Sequence, residues 1–222
     1  MDAIIDKKKI PLSLLGELNE TDLTNASDTD LRDALERDGY LFLRNIINPK
    51  EIEIARNDIF KRLKDVNELK EPYEDGIASG DSSRDKIHND RGHFWEKVSL
   101  SKPLREVTNG KNLENIFSKI FGTPSTGFDF IFLRAVAGGK FTHMHCDAGF
   151  FTRLTQKILT CWLVFTEITL DKGPLFVIEG SHKFKAIQEK YIGFDVNIDK
   201  DKKATIDTHP IKFAKENNSK IL

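Results

Sequence analysis

Cysteine is scarce in this sequence, with only Cys146 and Cys161 among 222 residues. Two thiols cannot supply a disulfide framework, which excludes a small stapled scaffold and fits free thiols in a reducing compartment. No run of about 18 apolar residues occurs, so no membrane-spanning helix is expected. The stretch Met1 to Leu18 mixes acids, lysines and a proline, without the apolar segment of a secretory leader. Those absences leave a cytoplasmic protein as the default. An excess of one charge is lacking too: 34 Lys and Arg stand against 35 Asp and Glu, for a net charge of −1. Nucleic-acid binders carry a clear basic surplus, so neither a nucleic-acid nor a membrane partner is expected. The lysine runs at Lys7–Lys9 and Lys200–Lys203 read as solvated surface.

What is present is an ordinary globular composition, 39% hydrophobic and 31% charged, long enough for one sizeable core. A single domain over residues 1–222 is expected, helical over about 20–122 and β-rich over about 126–222. In the first part Ser27 is placed to cap a helix carrying Leu31 and Leu35, with Gly39 as its stop. Tyr40 to Leu43 reads as a short buried strand. Asn48-Pro49 opens a second helix whose apolar face is Ile52, Ala55, Ile59 and Leu63. From Glu68 to about His93 the composition turns polar, which predicts a long loop, either disordered or a lid. Leu113, Ile116, Phe117 and Ile120 then mark a further helix ending at Gly122.

Beyond that helix the texture changes. Phe128 to Val136, Phe141 to Asp147, Ile158 to Ile168 and Leu175 to Ile178 read as strands, separated by Gly138-Gly139 and by Asp171-Lys172-Gly173-Pro174. Short strands at that spacing indicate a sandwich or barrel, so the fold class is α+β, mainly a β core with an N-terminal helical layer. The end of the chain, Asn217 to Leu222, reads as a polar stretch that does not complete a domain.

The chemistry is carried by His145-Cys146-Asp147. On a strand, residues two apart share a face, so His145 and Asp147 project together while Cys146 points away. One imidazole and one carboxylate on one face match two corners of the two-His-one-carboxylate triad that holds Fe(II) with open positions. A histidine from another strand must supply the third. An isolated H-x-D is a weak signal, and an exposed His and Asp at a turn is the plain alternative. Its surroundings strengthen it: a glycine turn before, a strongly apolar strand and a G-P-L turn after.

Those surroundings also carry a family resemblance. "RDGYLFLRNIINPKEIEIARNDIFKRL" resembles the N-terminal signature of the phytanoyl-CoA dioxygenase family, and "HCD" followed by "CWLVFTEITLDKGPLFVIEGSHK" resembles its core. The resemblance runs from about residue 37 to 185 with its blocks in family order. It implies a double-stranded β-helix (a cupin-like jelly roll) with helices packed on one side. It further implies Fe(II) and 2-oxoglutarate as cofactor and co-substrate, and hydroxylation of an unactivated C–H bond in a small organic substrate. His145 and Asp147 match the proximal metal ligands, and the carboxylate at 147 argues against the halogenating relatives, which carry a small residue there. Trp162 matches the core strand and is assigned either to the 2-oxoglutarate pocket or to plain packing. Arg134 is a candidate for an acidic substrate or the co-substrate, or a surface charge. The family's distal histidine and its 2-oxoglutarate-anchoring arginine come later than the 75 residues that follow Asp147 here. A C-terminally truncated enzyme lacking its late core strands is therefore expected.

Other histidines have plainer readings. His143 shares the face of His145 and is a pocket residue, an alternative ligand or a solvent-facing side chain. His182 sits in the G-S-H-K element, read as structural, and His209 precedes a proline in a polar segment. His88 and His93 belong to the polar loop, and Cys146 is a small buried residue. Two further functions compete with the oxygenase. One is a non-catalytic jelly-roll binding protein without a complete triad; the other is a cupin-type metal enzyme using His143, His145 and a later histidine.

Overall fold

The computed structural model describes residues 2–87, 91–129, 131–133, 141–151, 155 and 157–222. The chain divides into two compact units, one built from residues 1–44 with 136–222 and the other from residues 45–135. The helices are α1 (Asp28–Asp38), α2 (Pro49–Asp65), α3 (Arg84–Ile87), α4 (Arg91–Ser99), α5 (Lys102–Thr108), α6 (Lys111–Phe121), α7 (Ala148–Phe151), α8 (Lys185–Tyr191) and α9 (Pro210–Glu216). Among the described residues the one regular sheet is the small ribbon of β1 (Ile4–Ile5) and β2 (Lys8–Lys9), with isolated bridges elsewhere. The strands expected at Phe128–Val136 and Ile158–Ile168 carry no ladder among the described residues, and Arg134 and His88 lie outside those residues. None of the described helices is long and apolar enough to cross a membrane.

In the unit made from both chain ends, α1 starts as its sequence predicts. The Ser27 side chain accepts from the Asp30 backbone N–H, and the Asp30 carboxylate accepts from the Ser27 backbone, a complete capping box. Leu31 and Ala34 turn inward. Gly39 ends the helix at φ +80°, and a Cβ there would come within 2.3 Å of His182 Nδ1. Only glycine satisfies both the left-handed backbone and that close approach. Tyr40 to Leu43 is half-buried, with an isolated parallel bridge from Glu20 to Phe42 and the Tyr40 hydroxyl accepting from Asn19 N–H at 2.9 Å, so it is a connector more than a buried strand.

The core of this unit gathers Ala3, Ile5, Ile10, Met144, Ile178, Ile187, Tyr191, Ile206, Ala214 and Ile221. Its centre is a ribbon of three extended segments. The Ile221 N–H donates to Leu14 O at 2.8 Å and Ile221 O accepts from Gly16 N–H at 3.0 Å. On its other edge Leu222 exchanges both backbone bonds with Val177, and Lys220 O accepts from Glu179 N–H. The stretch that reads as a polar end therefore lies in the middle of the ribbon. Ser219 and Ile221 are buried while Lys220 is exposed, the two-residue alternation of a strand with one face in the core.

The other unit is helical. Asn48 caps α2 by accepting from Lys50 N–H at 3.0 Å, with Pro49 at the first helical position. Ala55 and Ile59 are buried and Ile52 and Leu63 half-buried, the expected face. α2 packs on α5, whose Leu104 and Val107 are both 1% exposed. α6 presents Leu113 inward and stops at Gly122, φ +67°. The predicted long loop is shorter and more ordered than its composition suggests. Val66 to Ser83 folds back on itself, with Leu69 bridged antiparallel to Ala78 and Ser83 N–H bonded to Val66 O at 2.8 Å. α3 and α4 follow. The polar composition conceals that turn because its bonds are made by backbone and serine hydroxyls, such as Ser79 Oγ to Asn67 O at 2.6 Å.

Candidate metal centre

His145 lies on an extended segment, Phe141 to Cys146, that pairs antiparallel with residues 204–206. Met144 and Ile206 point into the core, and Cys146 packs against the same cluster. That burial fixes the opposite face outward, so His143 and His145 are exposed. Asp147 follows at the turn into the four-residue α7, whose Phe150 N–H donates to Asp147 O at 2.9 Å. The strand expected through Asp147 ends at Cys146, and the turn that follows leaves His145 Nε2 and Asp147 Oδ1 3.2 Å apart.

The protonation of His145 follows from its second contact. Nδ1 lies 2.8 Å from the His143 carbonyl, and a carbonyl only accepts, so Nδ1 carries the proton. Nε2 meets a carboxylate oxygen either as the donor of an imidazolium or, in a neutral ring, with a lone pair. Two acceptors at that distance repel unless a proton or a cation lies between them. The separation also suits a metal. Two donors each about 2.1 Å from one centre and about 90° apart lie about 3.0 Å from each other. The pair therefore fits two neighbouring corners of one coordination sphere.

Asp147 is kept in its charged form by its neighbours. The hydrogen bond from His145 holds its carboxyl below the ordinary range, burial opposes that, and a bond from the Thr160 hydroxyl adds to it. Thr160 lies on the apolar stretch 158–168 and was not among the residues that the H-x-D pattern singles out; it has no sequence signature beyond its place before Cys161-Trp162. Burial pushes the Cys146 thiol up, as suits a packing residue. Among the described residues no group of three or more His, Cys, Asp or Glu side chains is arranged to hold a metal, so the third corner is not found there.

The remaining candidates are dispersed. Trp162 is 52% exposed. The His143 ring rests on Phe141 with centroids 4.8 Å apart. His182 Nε2 reaches Glu36 O at 3.0 Å, and Lys183 Nζ reaches Arg37 O at 3.1 Å, so the G-S-H-K element grips the last carbonyls of α1. His209 caps α9, its Nδ1 accepting from Ile211 N–H at 3.2 Å. His93 Nδ1 lies 3.4 Å from Glu96 Oε2.

Comparison with known proteins defines the class. The sequence model of the phytanoyl-CoA dioxygenase (PhyH) family matches residues 35–212, and the chain belongs to that family. Two curated relatives are phytanoyl-CoA dioxygenase domain-containing protein 1 homologs, from Caenorhabditis elegans and Caenorhabditis briggsae. Each is 26% identical over 190 residues, which cover 69% and 70% of this chain and 65% of each relative. The match thus spans less than two thirds of the relatives' own length. No solved structure matches.

Proposed function

We propose that this chain carries two ligands of an Fe(II)- and 2-oxoglutarate-dependent oxygenase centre, His145 and Asp147. One observation supports it most: an imidazole with its Nδ1 proton already committed faces a carboxylate oxygen at 3.2 Å, a gap that a proton on Nε2 closes and that a metal ion can take over. Family membership over residues 35–212 points to the same chemistry. Iron and the 2-oxo acid, when bound, supply the oxidising power, with O2 consumed, 2-oxoglutarate converted to succinate and CO2, and a substrate C–H converted to C–OH.

The protein's part is to hold and orient. His143 O holds the Nδ1–H of His145, which leaves Nε2 facing Asp147. Asp147 stays ionised, held by His145 and Thr160, and its carboxylate fills a position that a halide would need, which favours hydroxylation. Trp162, exposed on the apolar stretch, is proposed to line the co-substrate pocket. The fold this reading requires is the double-stranded β-helix, with Met144 and Ile206 anchoring the His145 segment to its core.

Succinate release from 2-oxoglutarate tests the reading. With Fe(II), ascorbate and a panel of small organic acids and thioesters, turnover should require both iron and 2-oxoglutarate. His145→Ala and Asp147→Ala should each abolish it. Turnover that survives His145→Ala, or iron-independent turnover, sinks the proposal.

A further inference from the structure

The segment carrying His145 has a partner, and that partner brings a residue absent from the H-x-D pattern. His145 and Thr205 face each other across an antiparallel bridge. The bonds flanking them run from Cys146 N–H to Ala204 O at 3.0 Å and from Ile206 N–H to Met144 O at 2.7 Å. Bonds in those positions make His145–Thr205 a non-hydrogen-bonded pair, the kind whose Cα atoms are only about 4.5 Å apart and whose side chains stand closest. Burial settles the direction. Ala204 at 2% and Ile206 at 8% exposure turn into the core with Met144, so Thr205 turns out on the side of His145, where both are exposed. The Thr205 side chain thus stands beside the imidazole, on the open face shared with Asp147.

We propose that Thr205 is a co-substrate-binding residue, its hydroxyl hydrogen-bonding a carboxylate or carbonyl oxygen of the small 2-oxo acid seated beside His145. This rests on the metal reading above. The nearest cross-strand neighbour of a ligand reaches the atoms next to that ligand, and a chelating acid puts its oxygens there. A hydroxyl offers an anionic oxygen a donor without adding a charge of its own. Thr205 has no signature in sequence, because its relevance comes from the pairing of residues 60 positions apart.

Calorimetric titration of the full chain with Mn(II), followed by titration of the Mn(II)-loaded protein with 2-oxoglutarate, tests this without relying on turnover. Thr205→Val keeps the β-branched shape and removes the hydroxyl; Thr205→Ser keeps the hydroxyl. Mn(II) affinity is expected to stay within about twofold in both. The affinity for 2-oxoglutarate should fall about tenfold in Thr205→Val and recover in Thr205→Ser. Equal 2-oxoglutarate affinity in Thr205→Val and wild type overturns the role of Thr205 and leaves the proposed function standing, whereas loaded wild-type protein that takes up no 2-oxoglutarate overturns both the role of Thr205 and the 2-oxoglutarate dependence, leaving only the metal pair. Loss of Mn(II) binding in Thr205→Val makes the residue structural and overturns its binding role. Wild-type protein that takes no Mn(II) overturns both readings.

Discussion

Ser27 and Asp30 answer each other across the first turn of α1, and the carboxylate of Asp30 lies below its ordinary pKa because the Ser27 hydroxyl, then the Ser27 backbone, donate to it. The sign of the pH effect follows. A folded-state pKa that is depressed favours the ionised, folded form. That contribution is complete above the unfolded value, about pH 4 for an aspartate, and is lost as pH falls through the lower folded value. Ser27→Ala should cost about 1 kcal/mol as a lost cap and move the Asp30 midpoint up toward the ordinary range. Carboxyl-carbon NMR titration of wild type and variant measures both midpoints; an Asp30 midpoint unmoved by Ser27→Ala contradicts the cap. At the same scale the nearness of His145 and Asp147 was legible in their spacing, although Asp147 lies past the extended segment and reaches Nε2 from the turn into α7. Thr160 and Thr205 were not, because what brings a hydroxyl to the site is packing between distant segments.

Helices whose ends are marked by local chemistry were legible as elements. Asn48-Pro49 opens α2 and Gly122 closes α6 because caps are decided within one turn of chain. Residues 66–83 were not, since backbone bonds from Lys70 to Ile77 and from Ser79 to Glu68 leave no apolar periodicity to read. What pins that turn to its neighbours is Arg84. Its guanidinium pairs with Glu68 and lies 4.4 Å from the Phe94 ring centroid and 4.3 Å from that of Trp95. A planar cation can stack on rings and pair with a carboxylate at once; an ammonium cannot. Arg84→Ala should therefore destabilise the protein by about 2 kcal/mol, and Arg84→Lys should recover less than half of that. Urea unfolding followed by Trp95 fluorescence is the direct measurement. A lysine variant as stable as wild type removes the stacking argument.

At the scale of the whole molecule, two cores hold the chain, and the first draws on both of its ends. The segment carrying His145 depends on that core through Met144, Ile206 and Cys146, which share it with Ile221 and Ile178. The alternation Ser219-Lys220-Ile221-Leu222 was available in the sequence, but four residues are too few to distinguish a strand from a polar tail. Its partners, Leu14–Gly16 and Val177–Glu179, lie far away in the chain. Ile221 is 3% exposed, so Ile221→Ala removes buried apolar volume where three segments meet and should cost about 3 kcal/mol. The loss should be confined. Amide hydrogen exchange should quicken at Leu15, Val177, Cys146 and Ile206, whose backbone groups belong to the Ile221 unit, and stay unchanged in α2 and α5 of the other. Quickened exchange in α2 and α5 to the same degree would mean that the two cores unfold as one, and Ile221 would then report on the stability of the entire chain.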